Sequence, residues 1–121
     1  MSPTLQRTEL RTVMQQRLQE SRALALLGAR QVGKTTLAKA YAAEHRFPYF
    51  DLEDPAAMAA LAQPRDVLGS LLERGDCIVI DEVQRHPALF PILRSLIDLH
   101  QRNAQFLLLG SASPALLRES G

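Results

Sequence analysis

The string Gly28-Ala29-Arg30-Gln31-Val32-Gly33-Lys34-Thr35 matches the pattern G-x-x-x-x-G-K-[ST] in full, and its chemistry is the wrapping of an anion. Gly28 and Gly33 permit backbone conformations closed to other residues. The N–H groups across Ala29, Arg30, Gln31, Val32 and Gly33 can then turn inward, and a helix starting next to Lys34 adds positive dipole. Lys34 is one of only two lysines in the chain and reaches outer phosphates as a point charge. The Thr35 hydroxyl is a candidate Mg²⁺ ligand, since that ion takes most of its shell from water and phosphates. Thr36 reads as a helix-start residue close to the same phosphates. A Gly-rich turn without function shares some of these letters, but not the full match between a strand and a helix.

Cys77-Ile78-Val79-Ile80-Asp81-Glu82 is the second signal. An apolar strand there delivers two carboxylates at its carboxyl end, where ligands of open α/β sheets bind. Asp81 is expected to hold the Mg²⁺ shell, and Glu82 to orient or deprotonate an attacking water. A solvated loop would give the same two letters; the phosphate loop upstream favours the functional reading. Ser111, after a last apolar run, is the third candidate, placed to touch the outer phosphate or the water, with a turn hydroxyl as the plain alternative. Ser113 is better read as an N-cap before Pro114, and Gly110-Ser111-Ala112-Ser113-Pro114 is not the G-x-S-x-G of an acyl-transfer nucleophile.

The remaining reactive types read as structural. Cys77 is a small core residue, and His45, His86 and His100 lack metal-ligand spacing. Arg30 and Arg85 are solvated by default, with phosphate contact in cis or in trans as the functional alternative. Residues 1–48 carry eight Lys/Arg against three Asp/Glu, whereas residues 49–84 carry two against eight. The basic third is compatible with nucleic acid, but a charged helix surface explains it as well.

These residues need elements to hold them. Leu10, Val13, Met14 and Leu18 follow helical spacing and predict an amphipathic helix over about 4–20. Residues 23–27 read as a buried strand ending at Gly28. Leu37, Ala40, Tyr41 and Glu44 predict a helix over 34–45. A strand is expected over 48–53, closed by Asp54 as N-cap with Pro55 at the first helical position. Short helices follow near 55–62 and 66–74, separated by Gln63-Pro64, and a buried strand over 77–80. A helix over about 87–102 places Leu89, Ile92, Leu93, Leu96, Ile97 and His100 on one face, with Arg94, Asp98 and Arg102 as a salt-bridge ladder on another. Residues 106–109 form the last strand, and a further helix starts near 114. Strands without a polar alternation, alternating with helices, argue for an α/β fold with a parallel sheet covered on both faces.

Size and composition set the bounds. The chain has 121 residues, 46% hydrophobic and 22% charged, with a formal net charge of +1. That length is expected to make one domain. One cysteine excludes an internal disulfide framework and any multi-cysteine metal site, and fits a reducing cytoplasm. No apolar run approaches the ~18 residues that cross a bilayer, and the first residues lack the layout of a secretory signal.

Three strings taken in order, Gly28 to Leu37, Asp81-Glu82-Val83-Gln84-Arg85 and Phe106 to Pro114, resemble the AAA+-like ATPase domain at the N-terminus of many bacterial and archaeal P-loop proteins. The similarity runs from about residue 20 to the end and takes in Tyr49 to Asp54. It implies a P-loop NTPase three-layer sandwich of the ASCE class, with the sheet ordered 5-1-4-3-2. It also implies ATP and Mg²⁺ as ligands, a Walker A loop at Gly28 to Thr35, a Walker B pair at Asp81-Glu82 and a sensor at Ser111. By that order the chain holds strands 1 to 4 and is read as an ATPase core over 1–121, truncated before strand 5 and before a further arginine and a C-terminal domain.

The expected function is ATP binding with Mg²⁺-dependent hydrolysis to ADP and phosphate, completed by self-association if a neighbour supplies an arginine. A nucleotide-binding switch with little turnover is the alternative, and a phosphotransferase a weaker third.

Overall fold

The computed structural model describes residues 3–28 and 33–110. In chain order the elements are helix α1 (Pro3–Glu20), strand β1 (Ala23–Leu27), helix α2 (Lys34–His45), strand β2 (Tyr49–Asp51), helices α3 (Pro55–Ala60) and α4 (Pro64–Glu73), strand β3 (Ile78–Asp81), a 3-10 turn (Val83–Arg85), helix α5 (Leu89–His100) and strand β4 (Phe106–Gly110). The four strands make one sheet in the order β1-β4-β3-β2, and each neighbouring pair is parallel. This is the α/β architecture expected, in the strand order that the resemblance implies for strands 1 to 4. Beyond β1 no fifth strand occurs among the described residues.

Side chains alternate between the faces of a strand, and that alternation builds two cores. Ile78, Ile80 and Phe106 point to one side, where they meet Leu61 of the α3–α4 link, Leu68 and Leu72 of α4, and Leu89, Leu93 and Leu96 of α5. Cys77, Val79, Leu107 and Leu109 point to the other, against Met14 and Leu18 of α1 and Ala38, Tyr41 and Ala42 of α2. Helices therefore cover both faces of the sheet. Truncating a leucine in either core to alanine would cost about 2–5 kcal/mol, because lost transfer energy and a residual cavity add.

Local chemistry sets the boundaries. Asp54 caps α3 by accepting from the Ala56 N–H at 2.9 Å, with Pro55 next in line, as read from the sequence. Pro64 opens α4 instead of separating two helices, because its fixed φ and missing N–H suit the first turn. The strand expected over 48–53 shortens to Tyr49–Asp51, since the Asp51 carboxylate accepts from the Glu53 N–H and its carbonyl from the Asp54 N–H. β3 runs one residue further than expected, and this puts Asp81 in register with Asp51.

The helix expected over 34–45 forms as α2 with Ala38, Tyr41 and Ala42 as its buried face; Glu44 is exposed and pairs with Arg11 of α1. Two expectations about helix faces need correcting, on α1 and α5. On α1, Met14 and Leu18 are buried, but Leu10 and Val13 are 53% and 45% exposed. Both line an apolar groove with Leu24, Leu26 and Leu37, beside β1 at the edge of the sheet among the described residues. The Arg94–Asp98–Arg102 ladder does not form. α5 ends at His100, and the left-handed Gln101 (φ 57°) turns the chain away. Arg102 instead donates to four backbone carbonyls: Leu72 at 3.1 Å, Asp76 at 2.7 Å, Asn103 at 3.3 Å and Ala104 at 3.2 Å.

Candidate phosphate and metal site

The carboxyl ends of β1, β3 and β4 meet the first turn of α2, and the sequence candidates converge there. Gly28 follows β1 with φ 149° and Gly33 precedes α2 with φ 77°, conformations that a Cβ strongly disfavours. The Gly28 N–H donates to the Gly110 carbonyl at 3.2 Å, closing β1 onto β4 at this end. Lys34 leads α2, and its ammonium donates to the Gly28 carbonyl at 2.6 Å and the Gly110 carbonyl at 3.0 Å. Burial pulls its pKa below the ordinary lysine value, while the Glu82 and Asp81 carboxylates push the other way.

Asp81 shares its face of β3 with Cys77 and Val79, the face that α2 covers. That parity brings the Thr35 hydroxyl to Asp81, donating to Oδ2 at 2.9 Å. Oδ1 accepts from the Glu82 N–H at 2.8 Å. Asp81 is almost fully buried, so these donors stand in for water around the charge.

Glu82 adopts a left-handed backbone (φ 55°, ψ 46°) as it opens the 3-10 turn. A non-glycine residue held there costs about 1–3 kcal/mol, a strain that clusters at functional sites. The Gln84 side-chain amide donates to Glu82 Oε1 at 2.6 Å. The two carboxylates at the strand end thus have different hydrogen-bond partners.

Two residues belong to this site that the sequence reading took only as part of its surroundings. Tyr49 of β2 pairs with Val79 of β3 and donates its hydroxyl to Asp81 Oδ2 at 2.5 Å. Burial first, and the Asp81 hydrogen bond next, hold that hydroxyl well above the ordinary tyrosine pKa, so it remains a donor. Gln84 is the other. Strand parity could have found Tyr49, since residues two apart on adjacent parallel strands share a face; Gln84 had no such signal.

Other candidates lie elsewhere. Thr36 is exposed in the first turn of α2, and Arg85 is exposed beside Leu52, Glu53 and Met58. Ala29, Arg30, Gln31, Val32, Ser111 and Ser113, and the helix expected from 114, fall outside the described residues. His45 packs its ring against Tyr41 and Phe47 at the far end of α2. Among the described residues no group of three or more His, Cys, Asp or Glu side chains could cage a metal. An oxygen-seeking ion that shares its shell with phosphates fits a Thr35–Asp81 pair, and Mg²⁺ is such an ion. No helix among the described residues is long and apolar enough to cross a membrane.

Two positive-φ glycines flanking residues 29–32, a lysine at a helix start and a part-buried Thr–Asp contact at a strand end make up the framework of a P-loop nucleotide-binding domain. A family model described as an AAA domain matches residues 20–121, and the chain belongs to that family of P-loop ATPase domains. It is similar to uncharacterized protein Mb2031c of Mycobacterium bovis and uncharacterized protein Rv2008c of Mycobacterium tuberculosis, each 39% identical over 113 residues. The match covers 93% of this chain and 25% of theirs, so the chain spans about a quarter of the length of these curated relatives. No solved structure matches it. Membership of the family makes nucleotide binding its general function.

Proposed function

We propose that residues 1–121 act as one ATPase core that binds ATP with Mg²⁺ and hydrolyses it to ADP and phosphate. The observation that carries this reading is the Thr35–Asp81 contact of 2.9 Å beside the Lys34 ammonium, which joins the two halves of a phosphate–metal site across 46 residues of sequence. The N–H groups of residues 29–33 wrap the phosphates, Gly28 lets the backbone turn into the loop, and Thr36 lies at its edge. Lys34 exchanges its carbonyl partners for the outer phosphates. Thr35 and Asp81 hold the Mg²⁺ shell; the ion, when bound, offsets phosphate charge as the leaving oxygen departs.

Glu82 takes one proton from a water whose oxygen forms the new bond to the γ-phosphorus. The bond from that phosphorus to the bridging oxygen breaks, and ADP carries away its electron pair. Gln84 keeps the Glu82 carboxylate aimed, and Ser111 senses the outer phosphate or the water. Arg30 or Arg85 of a neighbouring copy supplies the arginine in trans, and a cytoplasmic setting suits the buried Cys77, which forms no disulfide. Nucleic acid has no feature here that argues for it beyond the basic first third of the sequence.

The test is Mg²⁺-dependent phosphate release by the purified chain beside Glu82→Gln. Release that falls at least about a hundredfold in the variant, with ATP binding retained, is the expected result. Equal release by both chains would remove Glu82 from the role. ATP binding without release by either would favour the switch-like alternative.

A further inference from the structure

We propose that Tyr49 is a positioning residue for the metal site: its hydroxyl fixes the Asp81 carboxylate in the rotamer that a nucleotide-bound Mg²⁺ requires. This rests on the reading of Thr35 and Asp81 given above. Asp81 Oδ2 accepts from two sides, from Thr35 of α2 at 2.9 Å and from Tyr49 of β2 at 2.5 Å. Oδ1 accepts from the Glu82 N–H at 2.8 Å. Three donors from three separate elements define the plane of one carboxylate, and removing any of them frees a rotation.

The Thr35 bond alone could not do this. Thr35 stands in the first turn of α2, directly after the phosphate loop, and its hydroxyl must also turn a lone pair toward the ion. The Tyr49 hydroxyl also meets the Thr35 side chain, but it has no ion to ligate. Its ring is half-buried between the sheet and α2, with the Lys39 ammonium 5.8 Å from the ring centre. Its backbone is fixed by the β2–β3 ladder, where Tyr49 lies opposite Val79, two residues before Asp81 on the same face. A side chain of tyrosine length spans that offset; a shorter polar residue would not. The hydroxyl therefore reaches the carboxylate from a strand of the sheet, and shares Oδ2 with the Thr35 hydroxyl.

The test compares ATP affinity in EDTA with that in excess Mg²⁺ by calorimetry, for the wild-type chain, Tyr49→Phe, Asp81→Asn and the double variant. Tyr49→Phe removes one oxygen and keeps the ring, so the thermal melting curve reports whether packing is intact. The Mg²⁺-dependent gain in affinity is expected to shrink about tenfold in Tyr49→Phe, the loss of one hydrogen bond to an ionised acceptor. Metal-free ATP affinity is expected to hold, and Tyr49→Phe should add nothing in the Asp81→Asn background. A full Mg²⁺ gain in Tyr49→Phe overturns the proposal while leaving the site reading intact, as does an equal loss with and without metal. Absence of any Mg²⁺ gain in the wild-type chain overturns the site reading and this proposal together.

Discussion

The Lys34 ammonium lies 2.6 Å from the Gly28 carbonyl oxygen, so the chain itself occupies the cation that a phosphate would claim. Burial already lowers the pKa of Lys34, against the pull of Glu82 and Asp81. A bound phosphate favours the charged form, so binding takes up a proton wherever free Lys34 is neutral. ATP affinity should stay level below the lowered Lys34 value. It should then fall by about tenfold per pH unit once the pH passes the lowered Lys34 value. Calorimetry across pH, in buffers of different ionisation heat, checks this; affinity unchanged up to the ordinary lysine pKa would contradict it.

Arg102 ties the end of α4 (Leu72) to the approach to β3 (Asp76) and the approach to β4 (Ala104) through backbone carbonyls. Its planar fork suits several carbonyls at once, which a lysine cannot imitate. Arg102→Lys and Arg102→Ala should each lower stability by about 2–4 kcal/mol, as partly buried carbonyls lose their donors. Urea unfolding measures this, and a change under about 0.5 kcal/mol would place the bonds among the dispensable surface contacts.

Cys77 is buried beneath α2, and desolvation pushes its thiol up to about 11 from 9.0, against a hydrogen bond with Tyr41 that pulls it down. The folded thiol keeps its proton where the unfolded one has lost it. Stability is therefore full below about pH 9 and declines up to about pH 11, by ~2–3 kcal/mol if Cys77 acted alone. Tyr41, also raised by burial, adds to the loss at the upper end. Comparing wild type with Cys77→Ala across this range isolates the thiol, and identical slopes would contradict its part.

How much of this was legible in the sequence depends on the range of the contact. The phosphate-loop letters, the apolar run before Asp81 and the Asp54-Pro55 cap are local, and each predicted its element. The strand order came with the family resemblance, not from periodicity. Side-chain partners set by strand register needed the pairing as well as the parity: Tyr49 reaches Asp81 because β2 pairs with β3 at Tyr49 and Val79. Arg102 was misread for the same reason. Spacing by four continues a helix on paper, but Gln101 leaves the helical conformation first. On α1, the pattern was right in period, yet Leu10 and Val13 of its apolar face stay exposed in a groove beside β1.

The most direct measurement is Mg²⁺·ATP binding to this chain by calorimetry, with Lys34→Ala alongside. Saturable binding by the wild-type chain, lost in Lys34→Ala while its melting temperature is kept, is the result predicted by a Lys34 ammonium that trades two carbonyls for phosphate. Equal binding by both chains, or none by a folded wild-type chain, would contradict it.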